Sequence, residues 1–308
     1  MAFSLDHVVI AVRDLGQAMQ DYRELGFTVM FGGKHTHSPT HNALIYFKTG
    51  AYIELLARLE GTAQPGGVDF SPLVDGGEGL TGYCLGSDDL DADLAAMRAR
   101  GIPAEHSIDG GRKRADGAQL QWKTGRIGSS FTPFFIQDVT PRELRVPTDP
   151  ALTTHSNGVT ALVGVEVVTP LNDEIIKRYE HMLGILPDEV ALNAASRTFT
   201  LTSGHLVLTS PEAAAPSAPE EPSALDDDLA ESTKITSHTF RAYMRQTFES
   251  RRAEFERNGA REALYAVQML MESVPNISSL QESAFGLQKT HGVRFIQAGL
   301  SETDEDDE

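Results

Sequence analysis

Three stretches of the chain share one order of apolar and polar positions. Each begins with an apolar run typical of a buried strand: HVVIAV at 7–12, LTGYCLG at 80–86 and LVGVEVV at 162–168. Asp or Asn follows, then apolar residues at helical spacing, and then a glycine twelve positions after the polar residue, as with Asp14 and Gly26. Because Asp and Asn cap helix starts and glycine ends helices, each stretch predicts a strand followed by a helix.

Three further strand-like runs follow each of these glycines. After Gly26 they are FTVMF, ALIYFK and AYIELLA, and Thr49-Gly50 supplies a turn between the last two. Comparable runs follow Gly101 and Gly184. The repeating unit is therefore β-α-β-β-β, and its recurrence predicts an α+β fold built from such modules.

The last third of the chain departs from the repeat. PEAAAPSAPEEPSALDDD at 211–228 predicts a linker or loop rich in proline, alanine and acidic residues. The patterns at 238–259 and 261–273 predict helices, and THGVRFIQ at 290–297 predicts one late strand. A helical C-terminal region is therefore expected beside the modules.

These patterns predict two folded regions and a tail. The first region contains two βαβββ modules. The second region contains one module, followed by the last third of the chain, which lacks the repeat. The predicted bounds are 1–150 for the first region, 158–300 for the second, 211–236 for an acidic insertion, 238–285 for helices and 301–308 for a disordered acidic tail.

Composition narrows the classes of partner. The 308 residues carry a net charge of −18, which repels nucleic acid and anionic membranes, so neither is expected as a partner. Cys84 is the single cysteine, which excludes an internal disulfide and fits a reducing compartment. No signal peptide and no apolar run long enough to span a membrane is evident, and a cytoplasmic protein is expected.

The paired modules resemble a known superfamily. A first strand such as HVVIAVRDL and a last strand such as YIELL are similar to those of the vicinal oxygen chelate superfamily, and within it to the glyoxalase-like group. DYRELGFTV, THNALIYF and YIELLA carry the likeness best, and it covers 5–145 and 158–210. The resemblance implies that two modules form a cupped eight-stranded sheet that holds a metal or a small ligand.

The resemblance also implies where metal ligands would lie, namely on the first and last strand of each module. These positions hold His7 and Glu54 in the first module, and Gly82 and Gln137 in the second. The third module has no ligand residue there, so the implied ligands are His7, Glu54 and Gln137, for Zn, Ni, Mn or Fe(II). Glu54 has an apolar neighbour on each side, where a carboxylate is costly unless it is paired or bound to metal.

A histidine-rich loop and several aromatic residues add candidates for the same cup. In GGKHTHSPTHNALIYF, His41 or Asn42 is expected to line the mouth as a missing metal ligand, a general base or a substrate contact, while His35 and His37 are expected to face water. The loop could equally be an ordinary polar surface loop. The aromatic residues expected to contact substrate are Tyr52, Trp122 and Phe135.

Two functions of the cup stay open at this point, and a third possibility is that the helical region at 238–285 is an interaction module for which the enzyme fold is a scaffold. The first is a metal-dependent enzyme that isomerises, cleaves or ring-opens a small oxygenated molecule, with Glu54 as ligand and catalytic base. The missing second histidine at Gly82 disfavours an iron dioxygenase with two histidines and one carboxylate. The second function is metal-free binding and sequestration of a small molecule in the same cup. A homodimer is compatible with either function.

Overall fold

The computed structural model describes residues 2–61, 67–114, 116–128, 133–188, 195–211, 263–271, 290–291 and 293–297. Its first half consists of two consecutive βαβββ modules joined by a short helix, α2 (Pro72–Asp75). The first module comprises β1 (Ser4–Ala11), α1 (Leu15–Glu24), β2 (Met30–Lys34), β3 (Thr40–Tyr46) and β4 (Tyr52–Arg58). The second comprises β5 (Gly79–Gly86), α3 (Leu90–Ala99), β6 (Ile108–Lys113), β7 (Gln119–Gly125) and β8 (Phe134–Asp138). The predicted α+β fold of paired modules is confirmed.

The two modules share one eight-stranded sheet with the order β2-β3-β4-β1-β5-β8-β7-β6. Strand β1 runs parallel to β4 and antiparallel to β5, so the first strands of the modules join them at the centre. An isolated bridge between His35 and Arg112 then brings the two outer ends of the sheet together. The sheet therefore curls almost into a barrel and encloses a cup.

The helices begin and end where the sequence predicts. The Asp14 side chain accepts a hydrogen bond from the Gln17 backbone N–H at the start of α1, and Asp89 accepts one from Ala92 at the start of α3. Gly26 follows α1 with a φ of 87°, a left-handed conformation that suits glycine. Local capping chemistry thus sets the helix bounds.

After β8, the described residues form three further helices and a smaller sheet. The helices are α4 (Arg142–Arg145), α5 (Pro150–Thr153) and α6 (Asp173–Leu183). The strands are β9 (Val159–Val168), β10 (Ser196–Thr200), β11 (His205–Thr209), β12 (Ala263–Met271) and β13 (Arg294–Gln297). Their order is β10-β11-β9-β12-β13.

The helix predicted over 261–273 is wrong, because Ala263–Met271 within this range form strand β12. Short apolar runs fit either a helix or a strand. Here β12 pairs with β9 on one side and with β13 on the other. Tertiary pairing therefore overrides the helical spacing. The late strand predicted at 290–297 is present as β13, whereas the helix predicted over 238–259 lies outside the described residues.

One continuous apolar core packs against the convex faces of both sheets. It includes Ile10, Tyr22 and Phe135 from the first half, and Val165 and Phe199 from the second. The concave face of the first sheet instead carries buried polar side chains. Among the helices of the described residues, none combines the length and the hydropathy needed to cross a membrane.

Candidate functional site

A cavity of about 30 Å³ lies inside the cup, which is room for one or two water molecules or an ion. Its polar lining consists of His7, His35, Asn42, Glu54, Arg112 and Arg145. Its aromatic lining consists of Tyr52, Phe70, Trp122 and Phe134. Polar side chains are thus concentrated in a small space with aromatic walls.

His7 is oriented by the residue directly before it. The pairing of β1 with β5 is irregular between Leu5 and His7, and this bulge lets the Asp6 and His7 side chains lie together. Burial alone would raise the pKa of Asp6, but the Arg145 guanidinium and His7 hold it well below its usual range. Asp6 is therefore ionised, and the His7 Nδ1–H donates to its Oδ1 at 2.6 Å. The His7 Nε2 faces Glu54, 3.5 Å from Oε2.

His35 is buried in the cavity wall and does not face water as the sequence predicted. Burial lowers the pKa of His35 to about 4, and the nearby Arg112 guanidinium adds to this although Glu54 opposes it. The imidazole is therefore neutral near pH 7. Its Nε2 lies 3.7 Å from Glu54 Oε1, and its Nδ1 lies 2.8 Å from Thr40 Oγ1.

A chain of hydroxyls fixes which His35 nitrogen carries the hydrogen. A hydrogen bond from the Ser71 hydroxyl lowers the pKa of Asp69, so this carboxylate can only accept. The Ser38 hydroxyl donates to it at 3.1 Å, and Thr40 donates in turn to Ser38 at 3.0 Å. The His35 Nδ1 must then donate to Thr40, which leaves a lone pair on Nε2 toward Glu54.

Glu54 lies between the two histidines and is held by Asn42. The Asn42 Nδ2 donates to Glu54 Oε1 at 2.7 Å, and the Asn42 Oδ1 accepts from Arg112 Nη1 at 3.2 Å. Glu54 is only 7% exposed, so its charge depends on these neighbours. Asn42 is thus placed to fix the orientation of the carboxylate.

The two histidines face different oxygens of one carboxylate. Their Nε2 nitrogens lie 3.5 and 3.7 Å from the two oxygens of Glu54. Ligands about 2.1 Å from one tetrahedral ion are about 3.4 Å apart. No choice of one donor atom from each of His7, His35 and Glu54 brings all three within 4.8 Å of one another, so these side chains would have to move closer together to hold a metal.

A second group of donors, formed by Asp6, His7 and Cys84, is more compact, with one donor atom from each within 4.8 Å of the others, but its chemistry opposes a metal. The Asp6 oxygens already accept from two arginines, and burial raises the pKa of the Cys84 thiol well above its usual value. A metal at this position would have to displace the arginines and take the proton from a buried thiol.

An arginine network closes the base of the cavity. Arg145 of α4 forms paired hydrogen bonds with Asp6, at 2.8 and 2.9 Å, and with Asp138, at 2.6 and 2.7 Å. It also donates to the Tyr52 hydroxyl at 2.9 Å. Such forked pairs are rigid, so the network holds Asp6 and through it His7.

Five of the residues predicted from the sequence line the cavity: His7, Asn42, Tyr52, Glu54 and Trp122. The structure adds His35, Arg112 and Arg145 to them, and it supplies Asp6 behind His7. The only sequence signal for Asp6 is an acidic residue at the start of an apolar run. No local pattern distinguishes the two arginines from surface arginines.

The structure does not bring Gln137, Phe135 and His41 to the cavity, because strand alternation points each of them away. The Gln137 amide accepts from the Leu90 N–H at 3.1 Å and donates to the Asp88 carbonyl at 2.9 Å. Phe135 is in the core, with its ring 5.1 Å from that of Phe3. His41 is half-buried on the face of β3 opposite to Asn42.

An eight-stranded cup made by two βαβββ modules, with polar side chains on its inner face, defines a protein of the vicinal oxygen chelate superfamily. The family model of the glyoxalase-like domain matches residues 5–183, and the chain belongs to this family. The resemblance drawn from the sequence is thereby confirmed. A search of curated protein sequences finds no match.

Solved structures share the fold. A hypothetical protein from Staphylococcus aureus superposes with a TM-score of 0.63 at 15% identity, over 96% of this chain and 100% of its own. A triple mutant of 4-hydroxymandelate synthase from Streptomyces coelicolor superposes with a TM-score of 0.50 at 10% identity, over 88% of this chain and 72% of its own. At these identities the likeness concerns the fold alone.

Proposed function

We propose that this protein is a divalent-metal-dependent enzyme of the glyoxalase-like family that acts on a small oxygenated molecule. The observation that carries the proposal is the convergence of two imidazole Nε2 atoms on the buried Glu54 carboxylate. The Nδ1 of each histidine is occupied, by Asp6 for His7 and by Thr40 for His35. His7, His35 and Glu54 are the proposed ligands.

A bound divalent ion would supply Lewis-acid polarisation of a substrate oxygen. The protein's own groups would orient the substrate and move a proton. Asn42 holds Glu54 Oε1, which leaves Oε2 facing the cavity. Glu54 is the only carboxylate among the described residues that line the cavity, and it is therefore the proposed base for a proton on carbon next to a carbonyl. Isomerisation and elimination reactions next to a carbonyl use such a step.

The cavity walls support a small substrate. Phe70, Trp122 and Phe134 reduce the access of water to Glu54, and the enclosed volume of about 30 Å³ accommodates only the reacting end of a molecule. The chain has 44 acidic and 26 basic residues, and the resulting negative charge repels nucleic acid and anionic membranes. We therefore propose neither as a partner. Cys84 is a free, buried cysteine, which fits a reducing compartment. We therefore propose the cytoplasm as the location.

The direct test is metal stoichiometry and affinity in the full-length protein. We expect about one equivalent of Mn²⁺, Ni²⁺ or Zn²⁺ by elemental mass spectrometry and titration calorimetry. His35→Gln and Glu54→Gln should each weaken binding by more than about 100-fold, since changing a residue that only orients a metal ligand already costs about 10- to 100-fold. His41→Gln is the matched control, because its ring lies on the other face of β3. Absence of stoichiometric metal in the wild type, or unchanged affinity in His35→Gln, would overturn the proposal.

The aromatic lining favours one alternative, a metal-free protein that binds and sequesters a small flat molecule. The rings of His7 and Tyr52 stack with centroids 4.5 Å apart, and Phe134 meets His7 edge-on at 5.3 Å. Ligand binding that is unchanged by EDTA would favour this alternative over the enzyme.

A further inference from the structure

Arg112 is a buried cation in the wall of the cavity. It lies on β6, opposite His35 of the first module, at the bridge that closes the curled sheet. Only 4% of its surface is exposed, and its side chain lines the same cavity as Glu54. Its charge therefore has little contact with bulk water.

The contacts of the Arg112 guanidinium are with neutral groups. Nη1 donates to Asn42 Oδ1 at 3.2 Å, and the guanidinium partly offsets the rise that burial causes in the pKa of the nearby Tyr46 hydroxyl. Within the described ranges of the chain, no carboxylate oxygen lies within 4.0 Å of an Arg112 nitrogen. Arg145, by contrast, is paired with both Asp6 and Asp138.

Glycine at position 32 makes room for this arrangement. A Cβ atom on Gly32 would lie 2.3 Å from Arg112 Nη1 and 2.1 Å from Asn42 Oδ1. The φ of Gly32 is not in the left-handed region, so close approach rather than backbone conformation requires glycine here. The backbone is thus shaped to admit the guanidinium beside Asn42.

A buried guanidinium without a counter-ion is costly, and an anionic ligand would offset that cost. Its five N–H donors form a planar fork that matches a carboxylate, and the observed contacts use only some of them. We infer that Arg112 binds the carboxylate group of the substrate, and that the substrate is a small oxygenated carboxylic acid. The cavity of about 30 Å³ has room for a small carboxylate.

Asn42 sets the position of this anion subsite relative to Glu54. Its amide oxygen accepts from Arg112 while its amide nitrogen donates to Glu54, so the two charged groups lie at opposite ends of one amide. A carboxylate at Arg112 would place the neighbouring carbons of the substrate toward Glu54. The inference rests on the proposed function because it concerns the substrate of that same cavity.

The experiment compares glycolate with its neutral isostere glycolamide on the EDTA-treated full-length protein, by ligand-observed NMR titration. Working without metal separates the two proposals, since carboxylate recognition by Arg112 does not depend on a bound ion. We expect glycolate to bind about 10- to 100-fold more tightly, the range of a charge-assisted pair. This preference should disappear in Arg112→Gln. The preference for glycolate should persist in the control variant Arg114→Gln. Arg114 lies two residues after Arg112, is exposed and is paired with Asp116.

Three outcomes would overturn the inference: equal binding of the two ligands by the wild type, an unchanged preference in Arg112→Gln, or tighter binding of inorganic phosphate than of glycolate. If Arg112→Gln does not fold, thermal unfolding of the wild type provides the second measurement. Glycolate should raise the Tm relative to equal concentrations of glycolamide plus sodium chloride, and no difference would overturn the inference.

Discussion

Oδ1 of Asp6 lies 2.6 Å from Nδ1 of His7, the next residue in the chain. Adjacent side chains of a regular strand point to opposite faces, so this contact depends on the bulge in β1. The same carboxylate accepts from Arg142 and Arg145. One buried acid thus orients a proposed metal ligand and anchors helix α4.

We expect Asp6→Asn to lower the free energy of unfolding by about 3–5 kcal/mol, because it leaves the buried Arg145 charge incompletely paired. Metal affinity should fall about 10- to 100-fold through the loss of His7 orientation. Urea unfolding and metal titration measure the two effects. Asp75→Asn, in the exposed pair with Arg58, is the control and should change neither quantity. Equal stabilities of the two variants would contradict the buried network.

Gln137→Ala separates a structural role from a metal-binding role. The Gln137 amide bonds the backbone at the start of α3, so its removal should cost about 1 kcal/mol of stability. Metal affinity should remain that of the wild type, because this side chain points away from Glu54. Parallel urea unfolding and calorimetric titration provide the test. Loss of metal binding in this variant would restore the ligand role that the sequence predicted.

The stability of the metal-free protein should decrease as the pH falls from about 6.5 toward 4. Burial lowers the pKa of His155, whose Nδ1 accepts from the Thr28 N–H at 3.1 Å, and burial lowers the pKa of His35 to about 4. Since the unfolded histidines have a pKa of about 6.5, the unfolded chain binds more protons in this window. The full stability is present above about 6.5, and each histidine contributes a slope of at most about 1.4 kcal/mol per pH unit.

Urea unfolding between pH 5 and 7.5 in EDTA measures this slope. His155→Gln keeps a hydrogen-bond acceptor but cannot titrate, so its slope should be smaller than that of the wild type. A slope that is unchanged in His155→Gln, or stability that rises on acidification, would contradict the assignment of a neutral buried His155.

Cys84 should be unreactive in the native protein. Its side chain is fully buried on β5, and burial raises the thiol pKa well above its usual value, so little thiolate forms at pH 8. Ellman's reagent should detect no thiol in the folded protein and one equivalent in denaturant, since the chain has one cysteine. Rapid native reaction would show that β5 opens readily.

Local patterns predict much of the fold. Asp14 marks the start of helix α1 and Gly26 follows its end, through contacts that involve only neighbouring residues. The recurrence of these two signals along the chain predicts the modules. Strand β12 is the counterexample. Its apolar residues fit either element, and its pairing with β9, about a hundred residues earlier in the chain, made it a strand.

The residues of the candidate site also fall into two groups, those that the sequence indicates and those that only the folded chain brings together. The resemblance implied that His7 and Glu54 lie on the inner face, and the alternation of β1 and β4 agreed with it, because the period of a strand is a local property. The sequence alone therefore determined the paired modules, the helix caps and two of the three proposed ligands. His35, Asp6 and Arg112 became functional candidates only in the folded chain. A bulge turned Asp6 toward His7, and the closing bridge between β2 and β6 brought His35 and Arg112 together across the cup. Such contacts depend on sheet curvature and long-range pairing, which no periodicity within a single strand encodes.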